Sequence, residues 1–183
     1  MKIAFMGSHG VGKTTLCFEL AANLKRLDLS VDLVKEVARR CPLPINRDTT
    51  RDAQQWILHT QIAEEIALEP AYDIIVCDRA VLDNYAYLVN ATGRQAPLEE
   101  LVRTWMATYR LLVKVPVVAP PSYDGTRDVS QGFQTAIDRI IDQLLAAYRL
   151  DCLRLPAGDR SDWIPLVLAA LDLPPRASQL AMF

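Results

Sequence analysis

The sequence predicts an α/β fold of three layers, with a five-stranded parallel sheet between two layers of helices. Short apolar runs alternate along the chain with segments of helical periodicity, which is typical of parallel strands joined by crossover helices. The chain has 183 residues, of which 51% are hydrophobic, enough for a core on both faces of one sheet. A glycine-rich turn joins the first apolar run to the first helical segment.

The predicted strands follow the apolar runs. We expect them at 2–6, 31–37, 73–77, 110–118 and 151–155. The third has four apolar residues in a row, from Ile74 to Cys77. Pro116 is unusual inside the fourth strand, because proline cannot donate a hydrogen bond to a neighbouring strand. The end of that strand is therefore the least defined boundary.

The predicted helices follow the spacing of apolar side chains. We expect them at 13–27, 52–69, 84–90, 98–107 and 133–148, and from 161 to just before Pro174. The second shows a stripe at helical spacing, formed by Ala53, Trp56, Ile57, Thr60, Ala63, Ile66 and Ala67. Pro70 ends that helix, and Thr92-Gly93 separates the third from the fourth.

Composition and charge restrict the function classes. The net charge of −2 argues against a broad basic surface for duplex nucleic acid, although a single nucleic-acid end stays open as a substrate. The longest apolar run, at 110–121, is too short to span a bilayer, and no signal peptide precedes the first strand. The four cysteines form no C-x-x-C pair, as expected of buried thiols in a reducing cytosol.

These observations predict a soluble, cytoplasmic protein with one domain at 1–175 and a C-terminal tail at 176–183. The oligomeric state is left open, and a homodimer is one alternative.

The glycine-rich turn matches the phosphate-binding pattern G-x-x-x-x-G-K-[ST]. Its residues are Gly7, Ser8, His9, Gly10, Val11, Gly12, Lys13, Thr14 and Thr15. Between a strand and a helix, such a loop turns backbone N–H groups towards phosphate oxygens. Lys13 is expected at the β- and γ-phosphates, and the Thr14 hydroxyl is expected to bind Mg²⁺. The loop predicts a site for a nucleoside triphosphate, with ATP and Mg²⁺ as cofactors.

Charged residues at predicted strand ends extend this site. Asp78 follows the third strand, where a carboxylate can reach the metal, and Arg79 beside it suits a phosphate on the acceptor. The alternative for Asp78 is a cap of the following turn, and the alternative for Arg79 is an internal ion pair. Glu36 and Arg39 follow the second strand, where a carboxylate can hold an acceptor hydroxyl or accept its proton. A solvated charge pair is the alternative there.

Two further segments supply candidates. Gln61 and Glu65 lie one helical turn apart, and either contact the acceptor or form a solvated polar face. Asp124-Gly125-Thr126-Arg127 stands between the fourth strand and the long helix. A segment there can close over the triphosphate and bring Arg127 to the transferred phosphoryl group. An ordinary Asp-Gly turn is the alternative.

Taken in order, these motifs resemble a P-loop kinase-type family of AAA-like ATPase domains. That family includes the ribosylnicotinamide kinase half of the bacterial NAD-biosynthesis regulator. The resemblance covers the chain to about Leu173 and implies a nucleoside- or nucleotide-kinase core with a helical lid. It assigns phosphate and Mg²⁺ binding to Lys13 and Thr14. It further implies that Glu36 and Arg39 approach the acceptor, that Asp78 and Arg79 complete the centre, and that Arg127 is the lid arginine.

The leading prediction is therefore a kinase that transfers the γ-phosphoryl group of ATP·Mg to a nucleoside, nucleotide or related metabolite. Two alternatives stay open: a regulatory ATPase or nucleotide switch that acts on a protein partner, and a kinase of a nucleic-acid 5′ end. A GTPase is disfavoured, because no Asn-Lys-x-Asp motif follows the fourth strand. The chain is also too short for the extra helical domain of an AAA+ motor.

Overall fold

The structure, a computed structural model, describes residues 1–120 and 130–173. Its strands are β1 (Lys2–Met6), β2 (Val31–Val34), β3 (Ile74–Asp78), β4 (Tyr109–Lys114) and β5 (Leu153–Arg154). Its α-helices are α1 (Lys13–Arg26), α2 (Arg51–Leu68), α3 (Val81–Thr92), α4 (Ala96–Met106), α5 (Gln131–Tyr148) and α6 (Trp163–Leu171). Single turns of 3₁₀-helix occupy Val37–Arg40, Asn46–Asp48 and Arg160–Asp162. The predicted fold class is confirmed, while the predicted tail at 176–183 lies outside the described residues.

The sheet has the order β2-β3-β1-β4-β5, and every neighbouring pair is parallel. The central strand is β1, and its register pairs Phe5 with Asp78 and Met6 with Lys114. The carboxyl ends of β3 and β4 therefore flank the loop that follows β1. In parallel α/β sheets this edge is where ligands bind.

Hydrophobic clusters cover both faces of the sheet. One contains Leu20 of α1 and Trp163 of α6, both almost fully buried. The other contains Tyr85 and Leu88 of α3 together with Ile137 of α5, all fully buried. Within the described part of the chain, no helix has the length and apolar character needed to cross a membrane.

Three predicted boundaries were wrong. The second strand ends at Val34 instead of residue 37, because the chain turns into a 3₁₀-helix at Val37. The fourth strand ends at Lys114, so Pro116 lies beyond the hydrogen-bonded ladder that it would have interrupted. The third helix begins at Val81, three residues before its predicted start.

Candidate active site

The loop between β1 and α1 has the backbone of a phosphate-binding loop. Gly7 has φ +145°, and a Cβ there would lie 2.9 Å from the carbonyl oxygen of Val115, so only glycine fits. Gly12, with φ +95°, turns the chain into α1. The Lys13 ammonium donates to the carbonyl oxygens of Gly7 at 2.9 Å and Ser8 at 2.7 Å. The loop is thus closed around the cation that a polyphosphate would contact.

Lys13 is buried, and its surroundings weaken its hold on a proton. Burial and the nearby Arg79 lower the pKa of Lys13 to about 8, although the carboxylates of Asp83, Asp78 and Glu36 oppose that shift. A bound anion would favour the charged ammonium. Loss of contact with water is therefore the main cause of the lowered pKa of Lys13, and a bound phosphate would oppose it.

Thr14 and Asp78 form a pair of oxygen ligands next to the loop. The Thr14 hydroxyl donates to Asp78 Oδ2 at 2.5 Å. Burial raises the pKa of Asp78, while the charge of Lys13 and the hydrogen bond from Thr14 partly offset that effect. A hydroxyl and a carboxylate suit a hard divalent cation, which takes its remaining ligands from phosphates and water. The two residues therefore fit Mg²⁺.

Glu36 lies between two arginines. Arg79 donates to Glu36 Oε1 from Nε at 3.1 Å and from Nη2 at 2.7 Å, and Arg39 Nε donates to Oε2 at 2.8 Å. Burial favours protonation of Glu36, but the charges of Arg79 and Lys13 outweigh it and hold the pKa of Glu36 well below its usual range. Glu36 is thus an ionised carboxylate with its oxygens fixed in place.

Asp83 connects the loop to the end of β3, and it was not among the predicted residues. It is fully buried, accepts from Gly7 N through Oδ1 at 2.7 Å and from Ala80 N through Oδ2 at 3.0 Å. Burial raises the pKa of Asp83 despite the opposing charges of Lys13 and Arg79. An aspartate in the first turn of a helix after a strand end is the signal that points to it.

A cavity, here called the α2–α3 cavity, opens beside Glu36 and has an empty volume of about 540 Å³. It is lined by His9, Glu36, Ala38, Arg39, Ile45, Asn46, Gln54, Ile57, Arg79, Asn84 and Tyr87. Buried polar atoms of its lining without a hydrogen-bond partner among the described residues include Gln54 Oε1, Asn84 Nδ2 and Arg79 Nη1. Buried polar groups are rarely left unpaired, so water or a polar ligand in the cavity is expected to satisfy these atoms.

The solvated polar face that was the alternative for Gln61 and Glu65 was wrong, and the structure does not bring Gln61 to the α2–α3 cavity. Both side chains are fully buried, and neither lines the α2–α3 cavity. Gln61 Nε2 donates to Glu65 Oε1 at 2.9 Å and to the carbonyl oxygen of Arg79 at 3.2 Å. The side chains of α2 that line the cavity are those of Gln54 and Ile57, which lie nearer the start of the helix.

A second opening, here called the α1–α6 groove, lies on the other face of the sheet and has an empty volume of about 950 Å³. Gly12, Thr15, Glu19 and Asn23 line it from the side of α1. Arg160 lines the other side, where its Nη1 lies 3.4 Å from the position of a Cβ on Gly12. The phosphate-binding loop thus has an opening on each side. The predicted lid residue Arg127 lies outside the described residues.

The family model described as an AAA domain matches residues 2–162, most of the chain. The chain therefore belongs to this family, and the predicted resemblance to AAA-like ATPase domains is confirmed. The closer likeness to the ribosylnicotinamide kinase domain stays a prediction. No curated protein matches the sequence.

Two solved structures of deoxyadenosine kinase from M. mycoides are similar in fold. The one with the products dCMP and a flexible dCDP bound is 17% identical, has a TM-score of 0.64, and aligns over 93% of this chain and 98% of its own. The one with bound dATP is 17% identical, has a TM-score of 0.62, and aligns over 94% and 100%. At this identity the likeness establishes the fold, and function has to be argued from the site.

Proposed function

We propose that this member of the AAA-domain family is a kinase that transfers the γ-phosphoryl group of ATP to a hydroxyl of a nucleoside. The observation that carries the proposal is the shared position of Glu36 and Arg79, which line the α2–α3 cavity and stand next to the phosphate-binding loop. A phosphoryl group on the loop and a hydroxyl in the cavity would meet at this pair.

The donor side uses the phosphate-binding loop and the α1–α6 groove. The loop amides and Lys13 would hold the β- and γ-phosphates, and the base and ribose would lie in the groove near Arg160. Thr14 and Asp78 would hold Mg²⁺, which neutralises charge on the transferred phosphoryl group when bound. Arg127 is proposed as a further cation at this group.

On the acceptor side, Glu36 is placed to accept the proton of the attacking hydroxyl. The hydroxyl oxygen bonds to the γ-phosphorus, the bond from that phosphorus to the bridging oxygen breaks, and ADP leaves. The Nη1 atom of Arg79 has no hydrogen-bond partner among the described residues, and its N–H groups would donate to the transferred group. Arg39 would hold the second oxygen of Glu36 and so the orientation of the carboxylate.

The acceptor class follows from the two amides of the cavity. Gln54 offers an oxygen and Asn84 an N–H₂ group, which together match the alternating acceptors and donors along the edge of a nucleobase or a carboxamide. The apolar side chains of Ile45, Ile57 and Tyr87 would contact its faces. The similar solved structures are of a deoxyadenosine kinase, one of them with dCMP bound as a product, which supports a nucleoside as the acceptor.

A coupled assay of ADP release tests the proposal. The purified protein is given ATP·Mg with purine and pyrimidine nucleosides, ribosylnicotinamide, nucleoside monophosphates and a 5′-hydroxyl oligonucleotide. We expect ADP release to rise at least tenfold with one nucleoside. A rise with the monophosphates or the oligonucleotide alone would assign a different acceptor. Turnover that stays flat with every acceptor, but rises with a protein partner, would favour the regulatory ATPase.

A further inference from the structure

Arg79 has a backbone conformation that its residue type disfavours. Its φ is +108°, a region in which the Cβ of an L-residue is crowded. Such residues persist where the surroundings hold them, and they concentrate at functional sites. The turn at this position separates two consecutive side chains. Asp78 accepts a hydrogen bond from Thr14, whereas Arg79 donates to Glu36.

A buried hydrogen-bond network of Gln61, Glu65 and Tyr109 contacts the backbone of this turn, and none of the three has a role in the proposed reaction. Glu65 Oε1 accepts from Gln61 Nε2 at 2.9 Å and from the Tyr109 hydroxyl at 2.6 Å. Gln61 Nε2 also donates to the carbonyl oxygen of Arg79 at 3.2 Å, and the Tyr109 hydroxyl accepts from Val81 N at 3.2 Å. Both contacts therefore hold the backbone just after the Cα of the strained residue, one at the carbonyl group of Arg79 and one at the amide of Val81.

The other oxygen of Glu65 serves a different part of the fold. Oε2 accepts from Trp105 Nε1 at 2.7 Å and lies 3.2 Å from the Lys2 ammonium. Lys2 also stands 4.2 Å from the centre of the Trp105 ring. This half of the network joins α2, α4 and β1 without contact to the turn at Arg79, so the chain itself offers a matched control.

We propose that Gln61 and Tyr109, oriented by Glu65, are positioning residues that keep Arg79 in its strained conformation and so aim its guanidinium at Glu36 and the transferred phosphoryl group. They act through the backbone and touch no substrate. The kinetic part of this inference rests on the proposed kinase activity, whereas its structural part does not.

The test compares Gln61→Met with the native protein. Methionine keeps the length and burial of the side chain but cannot donate to Arg79 O. We expect faster hydrogen exchange of the amides at 79–81, a fall in kcat on the order of 100-fold, as for a misplaced catalytic group, and unchanged affinity for ATP. Trp105→Phe, which removes the hydrogen bond to Glu65 Oε2 and keeps an aromatic ring beside Lys2, should leave kcat and the exchange at 79–81 unchanged.

A second variant keeps the test decisive if Gln61→Met does not fold. Tyr109→Phe removes the hydroxyl between Glu65 and Val81 and should give the same pattern. A folded variant with native kcat and native exchange at 79–81 would overturn the inference. Failure of both variants to fold would also overturn it, since the network would then serve stability alone. If the native protein phosphorylates no acceptor, the proposed function fails, and the exchange data still decide the positioning.

Discussion

The α2–α3 cavity and the α1–α6 groove flank the same loop, yet their polar side chains are held in different ways. In the cavity, Glu36 is fixed by two arginines, and Gln54 and Asn84 are buried with amide atoms unpaired among the described residues. In the groove, Arg160 is exposed and packs over the ring of Trp163, with its guanidinium carbon 5.2 Å from the ring centre. Fixed, desolvated groups discriminate between ligands more strongly than exposed ones.

From this difference we expect the two openings to have different roles. Selectivity and chemistry would belong to the cavity, while the groove would add modest affinity for the base and ribose of the donor. Changes in the cavity should therefore alter turnover or acceptor affinity strongly, and changes in the groove should alter ATP affinity weakly. The following experiments test this contrast, from the largest expected effect to the smallest.

Glu36→Gln should lower kcat by about 100- to 10,000-fold, because the amide cannot accept the proton of the acceptor hydroxyl. ATP affinity should change less than about threefold, since the carboxylate belongs to the cavity. Initial rates and equilibrium titration of ATP measure the two effects. Glu64→Gln, which alters an ion pair with Arg40 away from the cavity lining, is the control and should behave like the native protein. A large loss of ATP affinity in Glu36→Gln would contradict the separate roles of the cavity and the groove.

Asp78→Asn should lower turnover by about 100- to 1,000-fold, the range seen when one charge-stabilising group is removed. Binding of ATP without Mg²⁺ should be retained, because the loop and Lys13 are intact. Calorimetry in the presence and absence of Mg²⁺ separates these effects. Native turnover in this variant would remove Asp78 from the metal site.

Gln54→Leu should raise the KM of the acceptor by roughly 5- to 150-fold, the cost of leaving a buried polar group of the ligand unpaired, about 1–3 kcal/mol. Its kcat at saturation should change little. Gln55→Leu, at the next position of α2 and outside the cavity lining, is the control. An equal rise in KM in both variants would show that the cavity does not hold the acceptor.

ATP affinity should fall as the pH rises above about 8, where the free site loses the proton of Lys13. A bound polyphosphate keeps the ammonium charged, so binding then requires uptake of a proton and weakens by up to about tenfold per pH unit. Titrations between pH 7 and 9.5 measure this slope. Lys13→Arg should bind with a flatter profile, because guanidinium stays charged. A flat profile in the native protein would contradict the lowered pKa of Lys13.

Arg160→Ala should weaken ATP binding by only about two- to fivefold, as expected for an exposed cation worth roughly 0.5–1 kcal/mol. The KM of the acceptor should not change. Arg154→Ala, which removes an exposed arginine paired with Asp142, is the control. A larger effect on the KM of the acceptor than on ATP affinity would contradict the proposed positions of the two ligands.

The parts predicted from the sequence are those set by local chemistry. The loop at Gly7 and the carboxylate at Asp78 could be located, because a glycine-rich turn and a strand end are each defined by a few consecutive residues. The ion pair of Glu36 with Arg79 was not predicted, since 43 residues separate the two and the strand order β2-β3-β1 brings them together. Strand order depends on packing that no short pattern contains.

The error on α2 has a physical cause. The alternative of a solvated polar face assumed that Gln61 and Glu65 point to solvent, whereas the helix buries these two together with Ile57. Polar residues are usually exposed, and only the partners supplied by distant segments, such as Tyr109 and Arg79, make their burial favourable.

Product analysis tests the central claim most directly. The native protein and Glu36→Gln are each incubated with ATP·Mg and the nucleoside that raises ADP release, and the nucleoside is then examined by mass spectrometry. We expect the native protein to add one phosphate group to the nucleoside and Glu36→Gln to leave it almost unmodified. Release of ADP without a phosphorylated nucleoside, or equal product from both proteins, would contradict the account.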